Sequence, residues 1–468
     1  NKRACFSQAQ NRQSLSANKR ACFSQAQNRQ SFSTNRVSFD RVFKNRAFMT
    51  LWLNQILLQL SYNMLNVSLI ILVFRLTNSN TVAAALITMA MLPVILFGIF
   101  AGVIADRFDK RKILLLTDIG IGFSMLLFIP VVGNVVLILA VAFLLNVVFQ
   151  FFVPTEAAAL PSVVPKEDLF AANALFQLTP TACLILGASL AGPVIAHFGY
   201  RPIFIFGALS MFATFFVRRA LPPMPPEKHM AYNRHEEAVI ELIVRSWQHT
   251  IDGVRFIFSD KRIWVSIVIL SFTQAAFSTV AALAPGFMEQ VLKIEATDAS
   301  IIILMPLGLG AVVSAFLTVK FWGKTPHRNL IVRGLLICGV AFILMALVPV
   351  IGRNIAHQEF LVRNIRPFSE AFTVSGWVSA LAAVVGFGVA QVIIPAQTNL
   401  QQNTHSAFRG RVFASWAVLT SMGVAVPALI AGAAADIFGV IHTMVVIGII
   451  VVLVGSFGFW AAPRRIFD

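Results

Sequence analysis

Residues 98–112 read Gly98-Ile-Phe-Ala-Gly102-Val-Ile-Ala-Asp106-Arg107-Phe-Asp109-Lys110-Arg111-Lys112, a cluster of charge between two long apolar runs, with Asp118 two turns into the second run. Glycines four residues apart let helices approach closely. The short loop sets the Asp106 carboxylate beside Arg107, Lys110 and Arg111, an arrangement suited to locking two helix ends together. A merely solvated basic loop would account for the bases, but not for Gly102 and Asp106 at this spacing. The flanking runs, Val82–Ile104 and Ile113–Val132, each have the roughly 20 apolar residues that a helix needs to cross the hydrocarbon core of a bilayer.

Working outward, the same kind of run recurs along the chain. Four more are expected before the middle, at Phe48–Phe74, Val135–Val153, Leu169–Ile195 and Tyr200–Val217. Six follow at Ile263–Phe287, Ile301–Val319, Leu330–Val350, Val374–Ile394, Val412–Ala434 and Val440–Ala461. Composition agrees: 57% of the 468 residues are hydrophobic and 12% charged, where a soluble chain carries about a quarter charged residues. The fold class is therefore an all-α membrane protein, with twelve transmembrane helices in two six-helix pseudo-symmetric halves. A trace of duplication supports the halves: Leu190-Ala191-Gly192 with Phe198-Gly199 is echoed 240 residues later by Ile430-Ala431-Gly432 with Phe438-Gly439, and Pro154 by Pro395, 241 on.

The expected organisation is a basic tail at 1–46, a first half at 47–218, a linker at 219–262 and a second half at 263–468. The first 34 residues are a tandem duplication of seventeen, NKRACFSQAQNRQSLSA then NKRACFSQAQNRQSFST. It has no apolar periodicity and reads as disordered. Without an initiator Met, it is either an artefact of gene assignment or a basic arm against anionic lipid. In the linker, Ile240, Ile243, Trp247, Ile251, Val254 and Phe258 recur at steps of three and four, the pattern of an amphipathic helix on the membrane surface. With the N-terminus inside, cytoplasmic segments hold 31 Lys and Arg and the outer loops 6, which puts both termini in the cytoplasm. Three of those six, Arg353, Arg363 and Arg366, fall in the longest outer loop. The net charge of +17 is concentrated in the tail, where ten bases meet one acid, so it speaks for topology and not for nucleic acid.

Polar side chains inside the spans carry the functional signal, because an amide in lipid costs free energy unless it finds a partner or water. The first span holds Asn54, Gln55, Gln59, Tyr62, Asn63 and Asn66, the fourth Asn146 and Gln150, the seventh Gln274 and the tenth Gln391. Apart from Asn173 and Gln177 at the start of the fifth span, the other spans have none, so the amides follow a period of three helices, as inverted three-helix repeats around a shared wetted cavity would produce. Gln55, Gln59, Tyr62, Asn63, Asn66, Asn146, Gln150, Gln274 and Gln391 are the candidate cavity residues. The alternative is hydrogen bonding between helices in a dry core. A membrane-embedded enzyme needs a nucleophile, base or metal ligands converging within the bundle. The eight His lie in loops or at span ends, and Cys5, Cys22, Cys183 and Cys338 are too far apart for a metal motif. No cofactor is called for.

The 98–112 stretch resembles the signature loop of the major facilitator superfamily, G-x-L-a-D-r-x-G-r-k, at Gly102, Ala105, Asp106, Arg107, Lys110 and Arg111. Asp109 stands where that pattern has a second Gly; Asp adopts left-handed dihedrals more easily than most residues. The link Leu160-Pro161-Ser-Val-Val-Pro165-Lys-Glu167-Asp168-Leu169, followed by Ala172-Asn173-Ala174-Leu175, is similar to that of the drug/proton antiporter branch that includes macrolide and enterobactin exporters. Arg409-Gly410-Arg411-Val412-Phe413 is similar to its counterpart after span ten. Two features depart from that branch: no Arg lies between Val135 and Val153, and Ala196-His197 stands where the span-five motif has two glycines.

The resemblance implies export of a lipophilic small molecule by alternating access. It implies a bacterial plasma membrane, a monomer surrounded by membrane lipids and no nucleic-acid partner. On this basis Asp106 caps the N-terminal dipole of span eleven near Val412. Arg107, Lys110 or Arg111 pairs with Glu156 at the cytoplasmic end of span four, unless Glu156 is simply a helix-end charge. Glu156 and Asp118 are the candidates for carrying a coupled proton.

Overall fold

The computed structural model describes residues 39–165, 167–225, 255, 257–258, 261–322, 325–356, 374–403 and 409–461. Among these residues, twelve helices are long and apolar enough to cross a membrane. They are α1 (Arg46–Thr77), α2 (Asn80–Arg107), α3 (Lys110–Val131), α4 (Val135–Val163), α5 (Leu169–Phe198) and α6 (Arg201–Arg218). After these come α7 (Lys261–Gly286), α8 (Met305–Phe321), α9 (His327–Ala356), α10 (Val374–Asn403), α11 (Arg409–Phe438) and α12 (Val440–Ala461). Widened π turns at Phe287–Leu292 and Ser300–Leu304 extend α7 and precede α8. We call the end at which Arg46 enters the bundle proximal, and the opposite end, with the α1–α2 and α11–α12 turns, distal.

Local chemistry sets the helix ends. Asn45, Ser79, Asp109 and Asn134 each accept a backbone N–H from the first turn of the helix they precede, at 3.0–3.3 Å. Gly199 (φ 77°) and Gly439 (φ 88°) stop α5 and α11 in the left-handed region, so the repeat seen in the sequence ends two helices in the same way. Between them the apolar side chains pack as two large clusters, one from residues 42–224 and the other from residues 257–451. The antiparallel pair α2 and α11 joins the first group of six helices to the second. Close approach within the second group depends on glycine: a Cβ at Gly310 would strike the Ala383 carbonyl of α10, and one at Gly386 the Leu307 carbonyl of α8.

Three expectations change. Residues 39–46 are not part of a loose tail. A short helix, Phe39–Lys44, buries Val42, Arg41 reaches Asp168 at 3.4 Å, and Asn45 Nδ2 donates to Val163 O at 2.8 Å. Helix α4 runs ten residues past the expected Val153, through Pro154 and Pro161, so Glu156 sits inside the helix and not at its end. Prolines are tolerated within spans because neighbouring helices re-satisfy the freed backbone groups. Asp109 is extended (φ −61°) and not left-handed: it replaces the second Gly by capping α3. The 17-residue duplication, the amphipathic stretch 240–254 and the basic outer loop 357–373 lie outside the described residues.

Candidate functional site

The charged loop folds back on the chain that follows α6. Asp109 Oδ1 accepts from the N–H of Arg111 at 3.0 Å and of Met224 at 3.1 Å, and Lys110 N donates to Met224 O at 3.1 Å. The Arg111 guanidinium donates to the Arg219 carbonyl. Gly102 faces open space among the described residues. Asp106 is exposed at the proximal end of α2, and the contact expected of it near Val412 falls on side chains outside the described residues.

Glu156 takes a different partner from the one expected. Arg218, the last residue of α6, reaches Glu156 Oε1 at 3.3 Å and Asp118 Oδ1 at 2.8 Å, with Phe152 packed 5.0 Å from the guanidinium. The Arg218 and Asp118 side chains are each 1% exposed and Glu156 7%. The physical reason is direct: α4 carries Glu156 into the half, and a buried carboxylate is retained when a cation is buried with it. Two carboxylates face one guanidinium here, so the cluster holds one unbalanced negative charge when all three ionise. Arg218 was missed because it follows the apolar Phe215-Phe216-Val217 and reads as the first base of the linker. The usable signal was the need of two buried acids for a cation.

The nine cavity candidates are not gathered into one place. Gln59, Tyr62, Asn63, Asn66, Gln150 and Gln274 are half-buried, while Gln55, Asn146 and Gln391 are buried. Tyr62 donates to Asn146 Oδ1 at 2.6 Å and stacks on Phe149, tying α1 to α4. Gln55 Nε2 donates to the Phe176 carbonyl of α5 at 3.2 Å. Asn63 abuts Gly187 of α5, and Gln150 lies beside Gly98 of α2. Gln391 is a correction: it packs against Gly334 of α9, inside the second group of helices, and neither of its amide atoms has a partner among the described residues. Gln55 and Asn146 thus make hydrogen bonds between helices, as the dry-core alternative has it, whereas Gln391 fits neither expectation.

Between α1, α5, α7 and α8 lies an apolar cavity of about 90 Å³, lined by Val67, Ile70, Leu184, Phe277, Ala281 and Gly308 among others. A larger groove of about 800 Å³ opens sideways between α7, α11 and α12. Hydrogen bonds join the two groups of helices toward the distal end. Arg75 reaches Glu295 at 3.0 Å and Glu289 at 3.5 Å, Gly192 N donates to Ser300 Oγ at 3.1 Å, and Asp436 of α11 accepts from Ser79, Asn80 and Thr81. Among the described residues no group of three His, Cys, Asp or Glu could hold a metal ion.

Twelve apolar spans in two packed groups, joined across α2 and α11, define a multi-pass membrane protein with the architecture of a transporter. The sequence profile of the Major Facilitator Superfamily matches residues 51–424, and the chain belongs to that family. It is similar to the enterobactin exporter EntS of Escherichia coli O1:K1 / APEC, 23% identical over 82% of this chain and 84% of that one. It is also 29% identical to the uncharacterized MFS-type transporter YkuC of Bacillus subtilis (strain 168), over 38% of this chain and 41% of YkuC; the match thus spans about two fifths of that relative's length. Among solved structures, a POT family transporter in complex with 5-aminolevulinic acid shares the fold (TM-score 0.68, 14% identity, 91% of this chain and 97% of that one). So does the nucleoside transporter NupG (TM-score 0.65, 12% identity, 88% and 99%).

Proposed function

We propose that this chain is a secondary active transporter that exports a hydrophobic small molecule by alternating access, acting as a monomer in a bacterial plasma membrane with both termini cytoplasmic. The proximal end is then cytoplasmic and the distal end external. The observation that carries this reading is the distal seam: two separately packed groups of helices are bound to each other by hydrogen bonds at Arg75, Asp436 and Ser300. Such a seam closes one face of a two-bodied protein and must part for the site to open there.

The apolar lining of the cavity between α1, α5, α7 and α8 supports a lipophilic, neutral or weakly cationic substrate, which would enter only once the halves part, since the cavity of about 90 Å³ is too small for such a molecule in this state. The likeness to an enterobactin exporter adds siderophores to drugs and macrolides as candidates. Proton exchange is assigned to Asp118 and Glu156, which share Arg218. A buried cluster with one excess negative charge is relieved by taking up one proton. The contact of Arg218 with both carboxylates supports this reading, although no arginine lies between Val135 and Val153 of α4.

The test is transport in proteoliposomes loaded with a panel of lipophilic antibiotics and siderophores, with and without a pH gradient. Accumulation against a substrate gradient that collapses when protons are equilibrated is the expected result. Movement down the gradient alone would make the chain a passive channel.

A further inference from the structure

The strongest contact across the distal seam involves a residue with no assigned role. The Asp436 carboxylate, in the last turn of α11, accepts five hydrogen bonds from three consecutive residues at the start of α2. The donors are Ser79 Oγ at 2.6 Å, Asn80 N at 2.7 Å, Asn80 Nδ2 at 2.9 Å, Thr81 N at 3.0 Å and Thr81 Oγ1 at 2.7 Å. The first N–H groups of a helix have no partner within it and form the positive end of its dipole. A carboxylate from the opposite half fills that need here. Gly432, one turn before Asp436, makes the approach possible: a Cβ there would lie 2.7 Å from Asn80 O and 2.9 Å from Thr81 Cα.

The stretch is a second copy of a pattern already met. Gly432-Ala-Ala-Ala435-Asp436-Ile-Phe438-Gly439 matches Gly102-Val-Ile-Ala105-Asp106-Arg-Phe108-Asp109 at Gly, Ala, Asp and Phe. Helices α2 and α11 run antiparallel, so one copy ends α2 at the proximal face and the other ends α11 at the distal face. The related seam between α5 and α8 lacks this device. There Gly192 lies against Thr297 and Ser300, but Ala196, 240 residues before Asp436, stands in place of the carboxylate.

We infer that Gly432 and Asp436 form the distal latch of the transport cycle, a helix-capping bond made between the halves when the distal face is shut and broken when it opens. This rests on the alternating-access reading, and its test reads conformation without needing a substrate. In a chain freed of its native cysteines, Val67→Cys in the cavity beside the seam reports access from the distal face to a membrane-impermeant maleimide. Asp436→Asn, which removes the charge and puts an amide N–H in place of one of the two accepting oxygens, is expected to speed labelling by about tenfold or more, since bonds to charged groups are among the stronger hydrogen bonds. Thr81→Val, which removes one donor from the other partner, is expected to speed it about threefold, and decides the matter if Asp436→Asn does not reach the membrane. Unchanged labelling in a well-expressed variant overturns the latch. Export against a gradient by that same variant would leave the transporter reading standing alone. Faster labelling supports the latch whether or not a transported compound has been found.

Discussion

Two polar clusters in this molecule use the same ingredients to different ends. Asp118, Glu156 and Arg218 come from α3, α4 and α6, all within one half, and are shut away from water. Asp436 and its donors Ser79, Asn80 and Thr81 belong to different halves and lie at a helix end, where Ser79 and Thr81 are reached by solvent. Bonds inside one rigid body are not broken by the rocking of the two bodies, so this cluster changes only with its own charge, through the proton it is proposed to take up. Bonds between the bodies exist in one state and not the other, so their free energy sets the balance between states.

The comparison can be broken in four ways, in decreasing size of effect. Arg218→Met leaves two buried carboxylates without a cation, and breaking a buried pair costs about 3–5 kcal/mol. The expected outcome is a large fall in Tm in detergent and little protein at the membrane, with most of the loss restored when Asp118→Asn and Glu156→Gln are added. A variant with unchanged Tm would show that the cluster is not part of the fold's support. Next, Gly432→Val pushes a branched side chain into Asn80 and Thr81. Overpacking of about 1–3 kcal/mol is expected to fall on the seam alone, speeding distal labelling while the Tm of the isolated protein stays close to wild type.

Gln391→Leu sharpens the contrast from the stabilising side. Its amide is fully buried and has no partner among the described residues, so an apolar replacement is expected to raise stability by about 1 kcal/mol, seen as a higher Tm with no change in labelling. A lower Tm would mean that the amide is satisfied by a water or a substrate. The smallest effect belongs to Arg75→Gln. Its partners Glu289 and Glu295 are 28% and 70% exposed, and exposed pairs contribute about 0.2–1 kcal/mol. A slight gain in distal labelling, erased by added salt, is the outcome expected.

The spans were legible because length and apolarity are read directly by the bilayer, and the signature loop because its glycine and aspartate spacing is rare in a solvated turn. What escaped were matters of neighbourhood. Pro154 and Pro161 look like stops in a sequence, yet α4 passes through both, as packed bundles in membranes tolerate. That extension is what carries Glu156 inward to Arg218. The rule of one amide-bearing helix in three was visible, but not which way each amide turns: Gln391 faces Gly334 and Gln55 faces the Phe176 carbonyl, partners that only the packing of adjacent helices brings near. Asp436 reads as a helix-end charge until α2 is placed against it, because a cap supplied from 356 residues away has no local signature.

The attachment of Met224 to the 107–112 loop alters the mechanics of the connector between the halves. Covalently the connector starts at Arg219, but Asp109 and Lys110 hold the backbone of Met224 and Arg111 holds that of Arg219. The segment up to Met224 therefore rides with the first six helices as their cuff, and the covalent leash between the halves is shorter by that segment. A nick placed beyond Met224 would leave that cuff fastened, whereas one at Ala220 would cut the leash on the wrong side of its own anchor.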